Sequence, residues 1–266
     1  MQPTPDPEFV TAYEHATWSR CAASYVDSFA ELTSATIEPL LDAAAVSSGN
    51  RVLDLGTGPG LVAAAVQSRQ GIPIGIDFTE SMVLEARRRY PDIEFREANA
   101  ESLPFADGEF DAVVGNFVFH HLARPDLVLV EARRVVRNGG KLAFTVWADL
   151  SKLAAFGLFF DAIEKHGNLQ DLPHGPLFGM SDFDVFHRMV REAGFHDSTV
   201  TEHDIAWQVG SAEQLLKSFA DWARMDAYPK SVRDAVENTV RENAKPFESD
   251  GTLTLPNPAI LVSATK

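Results

Sequence analysis

The stretch Arg51–Val66 reads RVLDLGTGPGLVAAAV, and its three glycines, Gly56, Gly58 and Gly60, stand at alternate positions. The apolar run before them, RVLDL, reads as a short strand. The run after them places Leu61, Ala64 and Ala65 on one stripe at helical spacing. Strand, tight turn and helix therefore follow one another directly. A turn rich in glycine lets a ligand come close to the backbone, because no Cβ stands in the way.

Outward from this turn the same alternation repeats. IPIGID (72–77), IEFREA (93–98), the wholly apolar DAVVGNFVF (111–119) and KLAFTVW (141–147) read as further strands. Between them, TESMVLEARRRY is a helix with Thr79 at its N-cap and Pro91 as its stop. RPDLVLVEARRVVRNGG is a helix running from Pro125 to the pair Gly139 and Gly140. After Trp147 the pattern loosens into helical stretches at 151–166, 181–193, 211–226 and 230–244. One alternating strand at 198–209 and a last strand in NPAILVSATK complete the series. Residues 10–46 are helical and carry aromatics. This pattern predicts an α/β chain with a Rossmann-like, doubly wound, mostly parallel seven-stranded sheet. It divides into an N-terminal helical segment (1–49), a ligand-binding core (50–149) and a remainder (150–266) that completes the sheet and adds a helical lid.

Three ligands account for a glycine turn in this position. A P-loop needs Lys and Ser/Thr after its last glycine, whereas Leu61 and Val62 follow Gly60. A dinucleotide turn needs G-x-G-x-x-G, and Leu61 occupies the place of its third glycine. Asp54 also repels a pyrophosphate, and Pro59 removes a backbone N–H from any anion cradle. A cationic ligand reverses that sign: Asp54 favours the ammonium and sulfonium of S-adenosylmethionine. Asp77, closing the second strand, suits a ribose diol, which NAD and S-adenosylmethionine share.

Four motifs lie in order and at matching distances: VLDLGTGPG, GIDFTESMV, NAESLPFADGEFDAVVGNFVFHHL and EARRVVRNGGKLAF. Over residues 50–147 the chain resembles the class I S-adenosylmethionine-dependent methyltransferases. The branch most like it is the small-molecule one of ubiquinone/menaquinone-biosynthesis (type 11) methyltransferases. The resemblance implies that Asp54, Gly56 and Gly58 line the methionine end of the cofactor and that Asp77 binds the ribose. It sets Phe78 and Met82 against the adenine and Asn99, Ala100 and Glu101 along the adenine edge. Thr57 in the turn and Asn116 after the fourth strand belong to the same set. Asn99 replaces the family's frequent Asp, and its amide oxygen can accept from the adenine amino group. Thr57 and Pro59 stand where Cys and Thr are commoner.

Ligands of open parallel sheets lie beyond the carboxyl ends of the strands. His120 and His121, at the end of the fourth strand, are therefore candidate general bases toward an acceptor. As neighbours on an extended strand they point to opposite sides. No histidine forms an i, i+4 pair with a helical acidic partner, so no metal is expected. A net charge of −15, from 38 acidic and 23 basic residues, opposes a nucleic-acid partner. So does NFVF (116–119), where resembling nucleic-acid amine methylases carry two prolines. The basic clusters EARRRY and EARRVVRNGGK read as solvated helix faces. The single cysteine, Cys21, and the absence of a signal-like or membrane-spanning run suggest a cytoplasmic protein.

The substrate wall has to come from outside the core. Tyr13, Trp18, Tyr25, Trp147, Phe156, Phe159, Phe160, Leu177, Phe178, Trp222 and Tyr228 suit an apolar or aromatic small molecule. A lining of mostly charged residues would contradict this. Methyl transfer by in-line displacement is the expected activity. Cyclisation or rearrangement on the same fold, simple binding, and a nicotinamide dehydrogenase remain as alternatives. The acceptor atom (O, N or C) and the oligomeric state stay open.

Overall fold

The computed structural model describes residues 6–167 and 180–266. Three short helices come first, α1 (Pro7–Cys21), α2 (Ala30–Ser34) and α3 (Ile37–Ala43). The alternating part follows with β1 (Arg51–Leu55), α4 (Leu61–Ser68), β2 (Ile72–Asp77), α5 (Glu80–Arg89) and β3 (Glu94–Glu97). It continues with β4 (Phe110–Gly115), α6 (Pro125–Val135) and β5 (Val136–Trp147). Then come α7 (Ala154–His166), α8 (Phe183–Glu192), β6 (His196–His203), β7 (Ala206–Val209), α9 (Ala212–Ala220) and α10 (Lys230–Ala244). β8 (Glu248–Ser249), β9 (Thr252–Pro256) and β10 (Ala259–Thr265) end the chain.

Seven strands form the main sheet in the order β3-β2-β1-β4-β5-β10-β6. The first five run parallel, and β10 is antiparallel to both neighbours. The expected Rossmann-like, mostly parallel seven-stranded sheet is present. Strand order reverses between β1 and β4, so a crevice opens beyond their carboxyl ends, and the glycine turn sits there. Both faces are covered, as apolar parallel strands require. Val52, Val114 and Ala143 pack under α3 and α4 on one side. Leu53, Leu55, Val113 and Phe144 pack under α6 and α8 on the other.

Three boundaries differ from the sequence reading. The helix from Pro125 ends at Val135, and Val136 already pairs with Phe110 of β4. Gly139 and Gly140 therefore lie in β5, where a Cβ on Gly140 would meet the Asp111 carbonyl at 2.6 Å. The single strand expected at 198–209 is two strands in two sheets. β6 pairs with β10, and β7 pairs with β9 in a three-stranded sheet with β8. Asn257 N–H donates to the Ile205 carbonyl at this joint, and Pro258, beside it, has no N–H with which to continue a ladder. The fourth strand stops at Gly115 rather than Phe119. Phe117 takes a left-handed φ of 55°, and a 3-10 turn covers Phe119–His121. The basic clusters are also less solvated than expected. Arg134 is held by Glu131, Asp107 and the carbonyls of Leu103 and Phe105, and Arg87 donates to the Phe95 carbonyl.

Candidate cofactor and active site

The glycine turn is built from below by Asp54. This side chain is 1% exposed. Its Oδ2 accepts from Thr57 Oγ1 at 2.6 Å and from the Ala63 N–H at 3.2 Å, tying strand, turn and helix α4 together. Burial pushes its carboxyl up to about 7, against the lowering effect of those two hydrogen bonds. Asp54 and Thr57 are not among the residues that line the cavity above the turn. In this structure they brace the turn from behind. The alternation of β1 turns Asp54 to the face that α4 covers.

Gly56 and Gly58 do face the cavity. Both have left-handed φ, 60° and 52°. A Cβ on Gly56 would strike Val118, 2.3 Å from Cγ2 and 2.8 Å from Cβ, so the turn after β4 needs bare backbone there. A Cβ on Gly58 would meet nothing within 4 Å and would project into open space. The Gly58 N–H donates to Asp77 Oδ2 at 3.0 Å.

Asp77, at the end of β2, is buried. Its Oδ1 accepts from Thr79 N and Thr79 Oγ1 at 3.0 and 2.6 Å. Thr79 does precede α5, but its hydroxyl serves Asp77 rather than the helix end. Burial raises the Asp77 carboxyl, and the bonds from Thr79 and Gly58 work against that. With about four lone-pair sites on a carboxylate, Oδ2 keeps room for one more donor on the cavity side. An open acceptor beside the open space over Gly58 fits a ribose hydroxyl approaching the turn. Phe78, Met82, Asn99, Ala100 and Glu101 line the same wall of the cavity. Asn99 Oδ1 already accepts from the Glu101 N–H at 2.9 Å. Its second lone pair is what remains for a ligand.

Asn116 lines the cavity, yet its amide is engaged in the wall itself. Oδ1 accepts from Thr36 Oγ1 and Thr145 Oγ1, both at 2.7 Å, and Nδ2 donates to the Thr33 carbonyl at 2.9 Å. Thr145 Oγ1 in turn accepts from the Phe117 N–H. This network holds Phe117 in its strained φ, with its ring stacked on Trp147 at 3.9 Å.

His120 and His121 both line the cavity. On a 3-10 turn, rather than an extended strand, their rings lie together, 4.1 Å between centroids. His120 is 1% exposed, between Phe117 and Trp147. His121 Nδ1 lies 3.1 Å from Glu14 Oε2, and Trp18 Nε1 donates to the same oxygen at 3.0 Å. Glu14, on α1 and 4% exposed, was not anticipated. The available signal is its i, i+4 spacing to Trp18.

The remaining walls are apolar. Tyr25, Phe29, Phe117, Trp147, Phe156 and Trp222 surround about 1190 Å³ of empty space, part of it open to solvent. Of the other aromatics expected here, Tyr13, Phe159, Phe160 and Tyr228 are not in the lining, and Phe159 stacks on Phe219 in the core. Leu177 and Phe178 fall outside the described residues. The charged side chains in the lining are Glu14, Asp77 and Glu101, and among the described residues no Lys or Arg lines it. Among the described residues there is also no cluster of three or more potential metal ligands, and no helix long and apolar enough to cross a membrane.

Residues 53–144 match the methyltransferase domain family. The chain is 38% identical over 123 residues to a demethylmenaquinone methyltransferase of Beutenbergia cavernae, covering 44% of this chain and 51% of the relative. It is 31% identical over 181 residues to the ubiquinone/menaquinone biosynthesis C-methyltransferase UbiE of Roseobacter denitrificans, covering 60% of this chain and 72% of the relative. The matches to the first curated relatives span about half of their length or less. The crystal structure of YcgJ from Bacillus subtilis superposes with a TM-score of 0.59 at 19% identity, over 88% of this chain and 98% of that one, and shares the fold.

Proposed function

The chain belongs to the class I S-adenosylmethionine-dependent methyltransferases of the type 11 domain kind, and on that premise we propose that it methylates a small, apolar or aromatic acceptor. The observation that carries this reading is the corner where Gly58 and Asp77 open into an aromatic-walled cavity. The bound cofactor supplies an electrophilic methyl group on a sulfonium with a good leaving group. Asp77 Oδ2 takes a ribose hydroxyl, the bare backbone at Gly58 admits the nucleoside, and Phe78 and Met82 flank the adenine. In this division of labour residues 50–149 hold the cofactor, and 1–49 with 150–266 enclose the acceptor.

The aromatic wall orients the acceptor and excludes water. Holding two reactants in line contributes about 7–11 kcal/mol, whereas a general base adds about 10²–10⁴-fold, so positioning is the larger share. His120 and His121 stand where an acceptor proton is within reach. The absence of Lys and Arg from the described lining disfavours phosphorylated acceptors, and the net charge of −15 disfavours nucleic acid. A single cysteine suits a cytoplasmic setting.

The test is calorimetric titration with S-adenosylhomocysteine and, in parallel, NADH. Saturable binding of the first alone, followed by S-adenosylhomocysteine release in a screen of phenols, naphthohydroquinones and arylamines, is the expected result. Binding of NADH alone would restore the dehydrogenase reading. Cofactor binding with product formed but no S-adenosylhomocysteine released would favour cyclisation or rearrangement.

A further inference from the structure

We infer that Glu14 and His121 act as a base pair, in which Glu14 is the positioning residue and His121 Nε2 is the group that takes the acceptor's proton. The inference rests on the methyl-transfer reading above. Its basis is an arrangement between two elements far apart in the chain. α1 carries Glu14 across the cavity to the turn after β4, where its Oε2 meets His121 Nδ1 at 3.1 Å. The carboxylate is nearly sealed from solvent, and the indole N–H of Trp18 fixes the same oxygen. Trp18 also packs edge-on against the His121 ring, 4.9 Å between centroids, and limits its rotation.

A carboxylate accepts and does not donate, so the proton of a neutral His121 sits on Nδ1. Nε2 then carries the lone pair. His121 lines the cavity with its side chain 18% exposed, and beyond the close approach to Glu14 no polar contact holds its ring among the described residues. Burying a carboxylate costs free energy unless it is paired. Here the partner is the one histidine that becomes cationic during the reaction. His121 Nε2 accepts the proton of an O–H, N–H or acidic C–H as the acceptor's electron pair forms the bond to the methyl carbon. The displaced pair leaves on the thioether sulfur. Glu14 offsets the imidazolium charge until the proton passes to water. The acceptor class is thus a neutral, proton-bearing nucleophile rather than a thiolate or a carboxylate, which need no base. His120 differs in its burial, at 1% exposed.

The test does not require the acceptor to be known. Diethyl pyrocarbonate acylates a neutral imidazole at its free nitrogen, and the rate at each histidine is read by peptide mass spectrometry. In the full chain His121 is expected to react readily, with the exposed His196 as internal reference. Glu14→Gln should slow His121 at least tenfold. A glutamine amide can donate to Nδ1 and move the imidazole proton onto Nε2, and it carries no charge. Trp18→Phe, which removes the indole hydrogen bond and keeps the carboxylate, should change the rate less than threefold. An unreactive His121 in the native chain overturns the inference. So does equal reactivity in native chain and Glu14→Gln, or a loss in Trp18→Phe as large as in Glu14→Gln, which would trace the effect to α1 packing. S-adenosylhomocysteine affinity, measured on the same samples, reports separately on the cofactor reading. Its absence in the native chain would sink that reading without touching the measured histidine rates.

Discussion

Gly56 and Gly58 are two residues apart, share a left-handed φ and line the same cavity, yet alanine should harm them in opposite ways. For either residue the left-handed conformation costs about 1–2 kcal/mol once a Cβ is present. At Gly56 the new methyl also overlaps Val118. Rotation moves Cγ2 away, but Val118 Cβ at 2.8 Å is fixed to its own backbone, so the turn and the segment after β4 must part. Overpacking of this kind adds about 1–3 kcal/mol. The sum, about 2–5 kcal/mol, corresponds to a melting temperature lower by roughly 5–15 °C for a chain of this size. At Gly58 only the conformational cost applies, roughly 3–5 °C, but the methyl stands where the ligand approaches. S-adenosylhomocysteine binding should weaken there at least about tenfold, or 1.4 kcal/mol. Thermal melts and calorimetry on both variants separate the two effects. Native-like binding by Gly58→Ala would refute the close approach of ligand to the turn, and a Gly56→Ala melt within about 2 °C of native would refute the packing argument.

Asp77→Asn should lose binding at least about tenfold in the same titration. It should also lose about 1–3 kcal/mol of stability, because both Asp77 oxygens accept hydrogen bonds and an amide turns one of them into a donor facing a donor. Asp54 makes stability depend on pH in a set direction. A carboxyl raised from 3.8 to about 7 by burial adds stability that is complete below about pH 4 and lost as pH rises through about 7. Denaturant melts at pH 5 and 7.5 should therefore differ less in Asp54→Asn than in the native chain, and an unchanged difference would remove Asp54 as its source. Arg124→Ala breaks the rim ion pair with Glu101, whose Arg124 side chain is 45% exposed. It should cost less than about 1 kcal/mol, and a larger loss in chemical denaturation would show that the pair matters more than its exposure allows.

The class of fold and the glycine turn were legible because they are local. A strand, a glycine turn and a helix are specified by neighbouring residues, and Asp77 closes a strand whose apolar run is visible in IPIGID. Phe78, Met82 and residues 99–101, which the family resemblance implies, all line the cavity. What stayed hidden depends on direction and on distant partners. Whether Asp54 meets the ligand or braces the turn is decided by the helix packed over β1, and the backbone of Ala63 claims its oxygen. The alternation in 198–209 cannot show its break, because the strands it pairs with meet at Asn257 and Pro258. His121 meets Glu14 from a turn that follows the left-handed Phe117, which a threonine–asparagine network drawn from three separate segments holds in place. Periodicity and turn chemistry act over a few residues and so can be read along the chain. The meeting of a carboxylate and an imidazole across a cavity depends on how helices close over a sheet, and only the packed chain decides that.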